Sequence, residues 1–210
     1  MSKRIILASQ SPRRKQLLDQ LGLNYDVIPS NIEEIVPPFI NGHTGPSQIV
    51  TELARQKAFA VGERLQKNNK ANEELIIIAA DTIVIMNKKV YGKPNSPSEA
   101  KTILQELCGK IHQVYTGVAL LSFDLAKSSI QCLTEAENSL VSFRNYSEAE
   151  INAYITTGEP MDKAGAYALQ GAGACLVAKI EGCYTNVIGL PMPILVKMLR
   201  AVGVEVLGEG

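Results

Sequence analysis

The sequence predicts a mixed α/β fold, a twisted sheet flanked by helices, on three observations. Helical patterns alternate with short apolar strands through the first half, strand-like runs cluster later, and several helix starts carry capping residues. The 210 residues are 46% hydrophobic and 20% charged, the balance of a globular protein and not of a disordered or fibrous one. That length suits one substantial domain, or two small lobes around a cleft, so residues 1–210 are read as a single unit. No internal repeat or low-complexity linker divides it.

Ile5 to Ala8 reads as a short buried strand. Ser11-Pro12 then supplies an N-cap with proline at the first helical position, and Gly22 closes that helix. A second helix is expected from about Ser47 to Leu65, followed after a polar spacer by the β-rich run Leu75 to Ile85, with Asn87-Lys88 as a hairpin tip. Ser96-Pro97-Ser98-Glu99 starts a third helix that ends near Cys108-Gly109, and Val114 to Phe123 and Ile130 to Phe143 look like strands. Ser147 with Glu150 forms a capping box for a fourth helix, stopped by Gly158 and Pro160. Glycine-rich strand segments and a final helix from about Pro193 to Val202 complete the reading. The stretch Pro37 to Pro46, with its prolines and glycines, reads as a surface loop beside whatever site exists.

Composition excludes several function classes. Lys plus Arg equals Asp plus Glu at 21 each, so no whole-chain field would hold a nucleic-acid backbone or an anionic membrane, and aromatics make up only 5%. Any affinity for anions must come from a local cluster. The uncharged stretches fall short of the ~18 apolar residues that a spanning helix needs, and the amino terminus lacks the apolar core of a signal peptide. Cys108, Cys132, Cys175 and Cys183 match neither zinc-knuckle nor redox-pair spacing, so they are read as reduced thiols of a cytoplasmic protein.

Three features carry candidate chemistry. Ser9-Gln10-Ser11-Pro12-Arg13-Arg14-Lys15 places three cations in the opening turn of a helix, against the positive end of its dipole. An anion there would be held by free N–H groups, the hydroxyls of Ser9 and Ser11, and the guanidinium forks; the alternative is a solvated basic helix end. Lys57 falls at the centre of the apolar stripe Val50, Leu53, Ala54, Ala58, Val61, Leu65, either snorkelling from the core or pointing into a cleft. Asp81 interrupts the buried run Leu75 to Ile85, where a carboxylate costs several kcal/mol unless paired, hydrogen-bonded or metal-bound. Lys93, Asp162 with Lys163, and Glu33-Glu34 are unremarkable alone. Together these carboxylates and cations form the inventory for a polyanion bridged to a divalent metal, and phosphoanhydride hydrolysis fits it. No Walker-type phosphate loop, dinucleotide fingerprint or esterase elbow is present, and His43 and His112 are too isolated to make a metal pair.

These residues, in this order, resemble the Maf family of nucleotide pyrophosphatases. The similarity lies in Leu7-Ala8-Ser9-Gln10-Ser11-Pro12-Arg13-Arg14, Ile32-Glu33-Glu34, Leu53 to Ala58, Ala80-Asp81-Thr82-Ile83-Val84, Gly92-Lys93-Pro94, Gly158 to Tyr167 and Gly189-Leu190-Pro191. The resemblance implies two lobes around a central cleft, as in inosine triphosphatase-like folds, and a homodimer. It implies a Mg²⁺- or Mn²⁺-dependent enzyme that hydrolyses nucleoside triphosphates to the monophosphate and pyrophosphate. Asp81, Lys57 and Lys93 are the implied catalytic groups, and Glu34 with Asp81 the implied metal ligands. Ser9, Arg14, Asp162 and Lys163 are the implied lining of the phosphate site. Arg13, Thr82 and Gln170 resemble the specificity residues of the branch acting on dTTP and UTP, as opposed to 7-methyl-GTP. Uracil and thymine share the O2, N3 and O4 edge that the amide of Gln170 would read. A link to cell-division arrest and to clearing modified nucleotides is implied in the same way, and a non-catalytic nucleotide sensor is the alternative class.

Overall fold

The computed structural model describes residues 3–32, 36, 44–66, 74–124 and 129–208. The chain opens with β1 (Lys3–Leu7), α1 (Pro12–Asp19) and β2 (Tyr25–Val27), followed by α2 (Pro46–Gln66) and the hairpin of β3 (Glu74–Met86) and β4 (Lys89–Tyr91). Next come α3 (Pro97–Leu107), the long strands β5 (Ile111–Asp124) and β6 (Ser129–Phe143), and α4 (Glu148–Thr156). Three short 3₁₀ turns, β7 (Val177–Glu181), α5 (Tyr184–Ile188) and α6 (Met192–Ala201) complete it.

Local chemistry accounts for most boundaries. The Ser96 side chain accepts from the Glu99 N–H at the start of α3, and Ser147 and Glu150 form the full capping box of α4. Asn87 and Lys88 both adopt left-handed φ, 52° and 67°, as a two-residue hairpin turn requires. Ser11 departs from expectation. Its side chain makes no cap bond, and its own N–H donates to Ser9 Oγ at 3.2 Å. A second departure lies between Gly158 and Leu176, where the expected strands are 3₁₀ turns, Glu159–Asp162, Ala164–Ala166 and Ala172–Leu176. Left-handed φ at Gly158, Gly165 and Gly171 breaks extension there, and only β7 forms a strand in this part of the chain.

The seven strands make one mixed sheet in the order β2-β1-β3-β5-β6-β7, with β4 pairing β3 beyond the end of β1. The β1–β2 and β1–β3 pairs are parallel and the others antiparallel. One face carries α2, whose Ala54, Ala58 and Val61 pack on Ile6, Leu75, Ile77, Leu121 and Phe123. On the opposite face Leu17, Leu18, Leu195 and Leu199 of α1 and α6 cover Ile76, Ile78 and Leu120. A separate apolar cluster joins α3 and α4 to Val84, Met86, Val114 and Val141. The sheet is therefore covered on both sides, and no described helix is long and apolar enough to cross a membrane.

Candidate active site

β1 pairs with β3 only as far as Leu7 opposite Ile78, and β4 picks up that edge only at Val84 opposite Tyr91. Between those points no described strand pairs with this edge of β3, and Asp81 and Thr82 lie in that gap. Because neighbouring strand residues point to opposite faces, only at such a gap can both line the same space. The space is a cleft of about 470 Å³. Its lining includes Ser9 to Arg14 from the β1–α1 turn, Lys57 from α2, Lys93, Asp162 and Lys163.

Asp81 is 4% exposed and Lys57 5%, and the two side chains form an ion pair and hydrogen bond at the floor of the cleft. The sequence left Lys57 between snorkelling and pointing into a cleft; its side chain is buried against Asp81 and lies in the cleft lining. The approach depends on Gly117, the register partner of Asp81 on β5. A Cβ there would stand 2.3 Å from the Val50 carbonyl carbon and oxygen, so α2 can lie this close only over glycine.

Arg14 is fixed from three sides. Nε donates to the Gly189 carbonyl at 2.8 Å, Nη1 to Ser9 Oγ at 3.3 Å and Nη2 to Thr82 Oγ1 at 3.2 Å. Gly189 adopts φ 115°, which leaves its carbonyl turned toward the guanidinium and removes a Cβ that would crowd Thr82. Arg13, also in the cleft lining, lies 3.8 Å from Asp162, and Lys163 pairs with the same carboxylate. Burial pulls the Arg13 guanidinium below its usual value, against the opposing charge of Asp162. Burial pushes Asp162 up, but its bond to Lys163 and the charges of Lys163 and Arg13 outweigh that, leaving it lower than usual. Lys93 is exposed on the rim, joined to the 163–166 turns by the Gly165 N–H to Gly92 carbonyl bond of 3.1 Å.

Part of the remaining wall is apolar, with Val84, Val114, Tyr167, Leu169, Val187 and Ile188, and the segment Pro29 to Ile32 adds Ser30 and Asn31. Tyr167 is held from behind by His112, whose Nε2 lies 2.9 Å from the phenol oxygen. Desolvation lowers the His112 pKa to about 4, so the ring is neutral. Gln170 is not among the lining residues; its Oε1 is buried with no hydrogen-bond partner, next to the lining residue Leu169. Glu34 and residues 37–43 of the expected surface loop lie outside the described residues. Thr116 and Asn186, which the sequence reading passed over, sit behind Thr82. The signal for Thr116 was a hydroxyl residue inside the apolar run Val114 to Leu121.

Among the described residues no group of three His, Cys, Asp or Glu stands ready to hold a metal alone. The donors nevertheless suit a magnesium-type ion, which takes one or two carboxylates and completes its shell with phosphate oxygens and water. Asp81 offers such an oxygen in a cleft lined with cations.

A family model described as Maf-like protein matches residues 4–202. A protein named dTTP/UTP pyrophosphatase from Caldicellulosiruptor saccharolyticus is 42% identical over 98% of this chain and 98% of its own. Proteins of the same name from Pelotomaculum thermopropionicum and Bacillus cereus are 44% and 43% identical, over 98% and 97% of this chain and 100% and 92% of theirs. Among solved structures, the Staphylococcus aureus Ham1 protein is 15% identical with a TM-score of 0.43, covering 95% of this chain and 99% of that one.

Proposed function

The chain belongs to the Maf-like family, and from that premise we propose that it is a nucleoside triphosphate pyrophosphatase acting on dTTP and UTP. The observation that carries the reading is the buried Lys57–Asp81 pair at the floor of a cleft whose other charged residues are mostly cations. The α–β phosphoanhydride breaks, water supplies the new P–O bond, and the products are the monophosphate and pyrophosphate.

Asp81 accepts the proton of the attacking water, and Lys57 orients that carboxylate. Arg14, Lys93 and Lys163 bind the phosphate oxygens, with Ser9 and the N–H groups at the start of α1 completing the cradle. Arg13 and Asp162 close the opening of the cleft over the substrate. A divalent cation, Mg²⁺ or Mn²⁺, held by Asp81 and Glu34 would neutralise phosphate charge when bound. The apolar wall around Tyr167 takes the pyrimidine, and the amide of Gln170, whose Oε1 has no internal partner, reads the O4–N3 edge once the 168–171 segment adjusts. The cleft is lined by members of two separate apolar clusters, Ile188 of one and Val84, Val114 and Tyr167 of the other, which supports a single domain of two lobes. A cytoplasmic homodimer that clears nucleotides from the pool, with a bearing on cell division, belongs to the same reading.

The test is hydrolysis of UTP, dTTP, CTP and 7-methyl-GTP with Mg²⁺ or Mn²⁺, scoring pyrophosphate separately from orthophosphate. Pyrophosphate from UTP and dTTP is the expected result. A preference for 7-methyl-GTP would overturn the base assignment, and orthophosphate alone would overturn the bond assignment.

A further inference from the structure

We propose that Thr116 and Asn186 are positioning residues that set the orientation of Arg14 through a one-way hydrogen-bond relay. The direction follows from counting protons. Thr116 has a single O–H and donates it to the Asn186 carbonyl at 3.0 Å. In the 2.9 Å contact between Thr82 and Thr116, Thr82 must therefore be the donor. Thr82 in turn accepts from Arg14 Nη2. The chain of donation runs from Arg14 to Thr82, to Thr116, to the backbone of α5.

The same helix holds the other side of the guanidinium. Arg14 Nε donates to the Gly189 carbonyl, and the Gly189 N–H donates to the Asn186 carbonyl at 2.9 Å. Both arms thus converge on Asn186, which is fully buried, as is Thr116. Asn186 anchors α5 to the sheet through Nδ2, which donates to the Val114 carbonyl and to Ser139 Oγ, each at 2.9 Å. The Val114 carbonyl can only accept, so it fixes which way the amide points and leaves Oδ1 buried with no partner. Ser139 passes its own proton to the Cys183 carbonyl at 3.0 Å and closes the network.

Two consequences follow. The hydroxyl proton of Thr82 is committed to Thr116, so Thr82 acts on the substrate through Arg14 and not as a donor to the base. Loosening Thr116 lets Arg14 turn with Lys57 and Asp81 untouched, because these lie on the other face of β3.

This inference rests on Arg14 binding substrate phosphates, as proposed above, and the test separates the two. Thr116→Val keeps the shape and deletes the relay hydroxyl, and Thr116→Ser restores it. For UTP, Thr116→Val should raise KM about tenfold, the scale of one lost hydrogen bond to a charged group, with kcat changed less than about threefold. Thr116→Ser should lie near wild type, and Thr116→Val should add nothing in an Arg14→Gln background. By NMR, the Arg14 Nη2 protons should exchange with solvent about tenfold faster in Thr116→Val, since their acceptor, Thr82 Oγ1, is no longer held. Unchanged exchange, or an equal KM penalty with and without Arg14, would overturn the relay. Absence of UTP hydrolysis in the wild type would defeat the functional reading alone, and the exchange rate would still decide the relay.

Discussion

The floor and the rim of the cleft carry the same kinds of charge on different supports. At the floor, Lys57 and Asp81 stand on α2 and β3, two long elements pressed together over Gly117, and both are buried. At the rim, Asp162 ends one short 3₁₀ turn and Lys163 links it to the next, and the Asp162 side chain is 65% exposed while that of Lys163 is 12% exposed. A buried charge left without its counterion is expensive, whereas a pair whose carboxylate stands in water is partly screened and gains less. The floor is thus suited to hold one geometry for the chemistry, and the rim to adjust around a bound triphosphate.

The largest effect should come from splitting the floor pair. Lys57→Met removes the cation from a buried carboxylate and should cost about 3–5 kcal/mol in urea unfolding. Adding Asp81→Leu should recover much of that stability with no return of hydrolysis. If Lys57→Met were as stable as wild type, the contrast between floor and rim would fail.

His112 comes next, because from the start of β5 it holds Tyr167 in the apolar wall between floor and rim. Its folded pKa of about 4 lies below the unfolded value of about 6.5, so the unfolded chain binds more protons between those values. Stability contributed by the neutral ring is full above pH 6.5 and is lost as pH falls toward 4, by about 3 kcal/mol in all. Denaturation series between pH 7 and 4.5 should show that slope in the wild type and a weaker one in His112→Gln.

Gly117→Ala should cost about 1–3 kcal/mol by pushing α2 from β5. It should lower kcat up to about a hundredfold, because displacing Lys57 by an ångström disturbs Asp81. Full activity in that variant would show that the close approach of α2 is dispensable. Asp162→Asn should be the mildest, with a stability change under about 1 kcal/mol and a few-fold rise in KM at unchanged kcat.

The floor was legible in the sequence because it violates local rules: an aspartate inside a buried strand and a lysine on an apolar stripe have few innocent explanations. The capped helices and the Asn87-Lys88 hairpin were legible because their signals are local. The 3₁₀ turns and the five-residue α5 were not, since glycine-rich segments take their shape from what packs on them. The Arg14 relay was hidden for a different reason. Thr82 and Thr116 meet only through the β3–β5 register, and Asn186 reaches them from a helix 70 residues further on.

The central claim is that Asp81 acts on water in a cleft that binds triphosphate by its cations. Its most direct test is Asp81→Asn, with UTP binding measured by calorimetry and pyrophosphate release measured on the same preparation. Binding within a few-fold of wild type with hydrolysis reduced at least about a thousandfold is the expected result. Pyrophosphate release at the wild-type rate would contradict it.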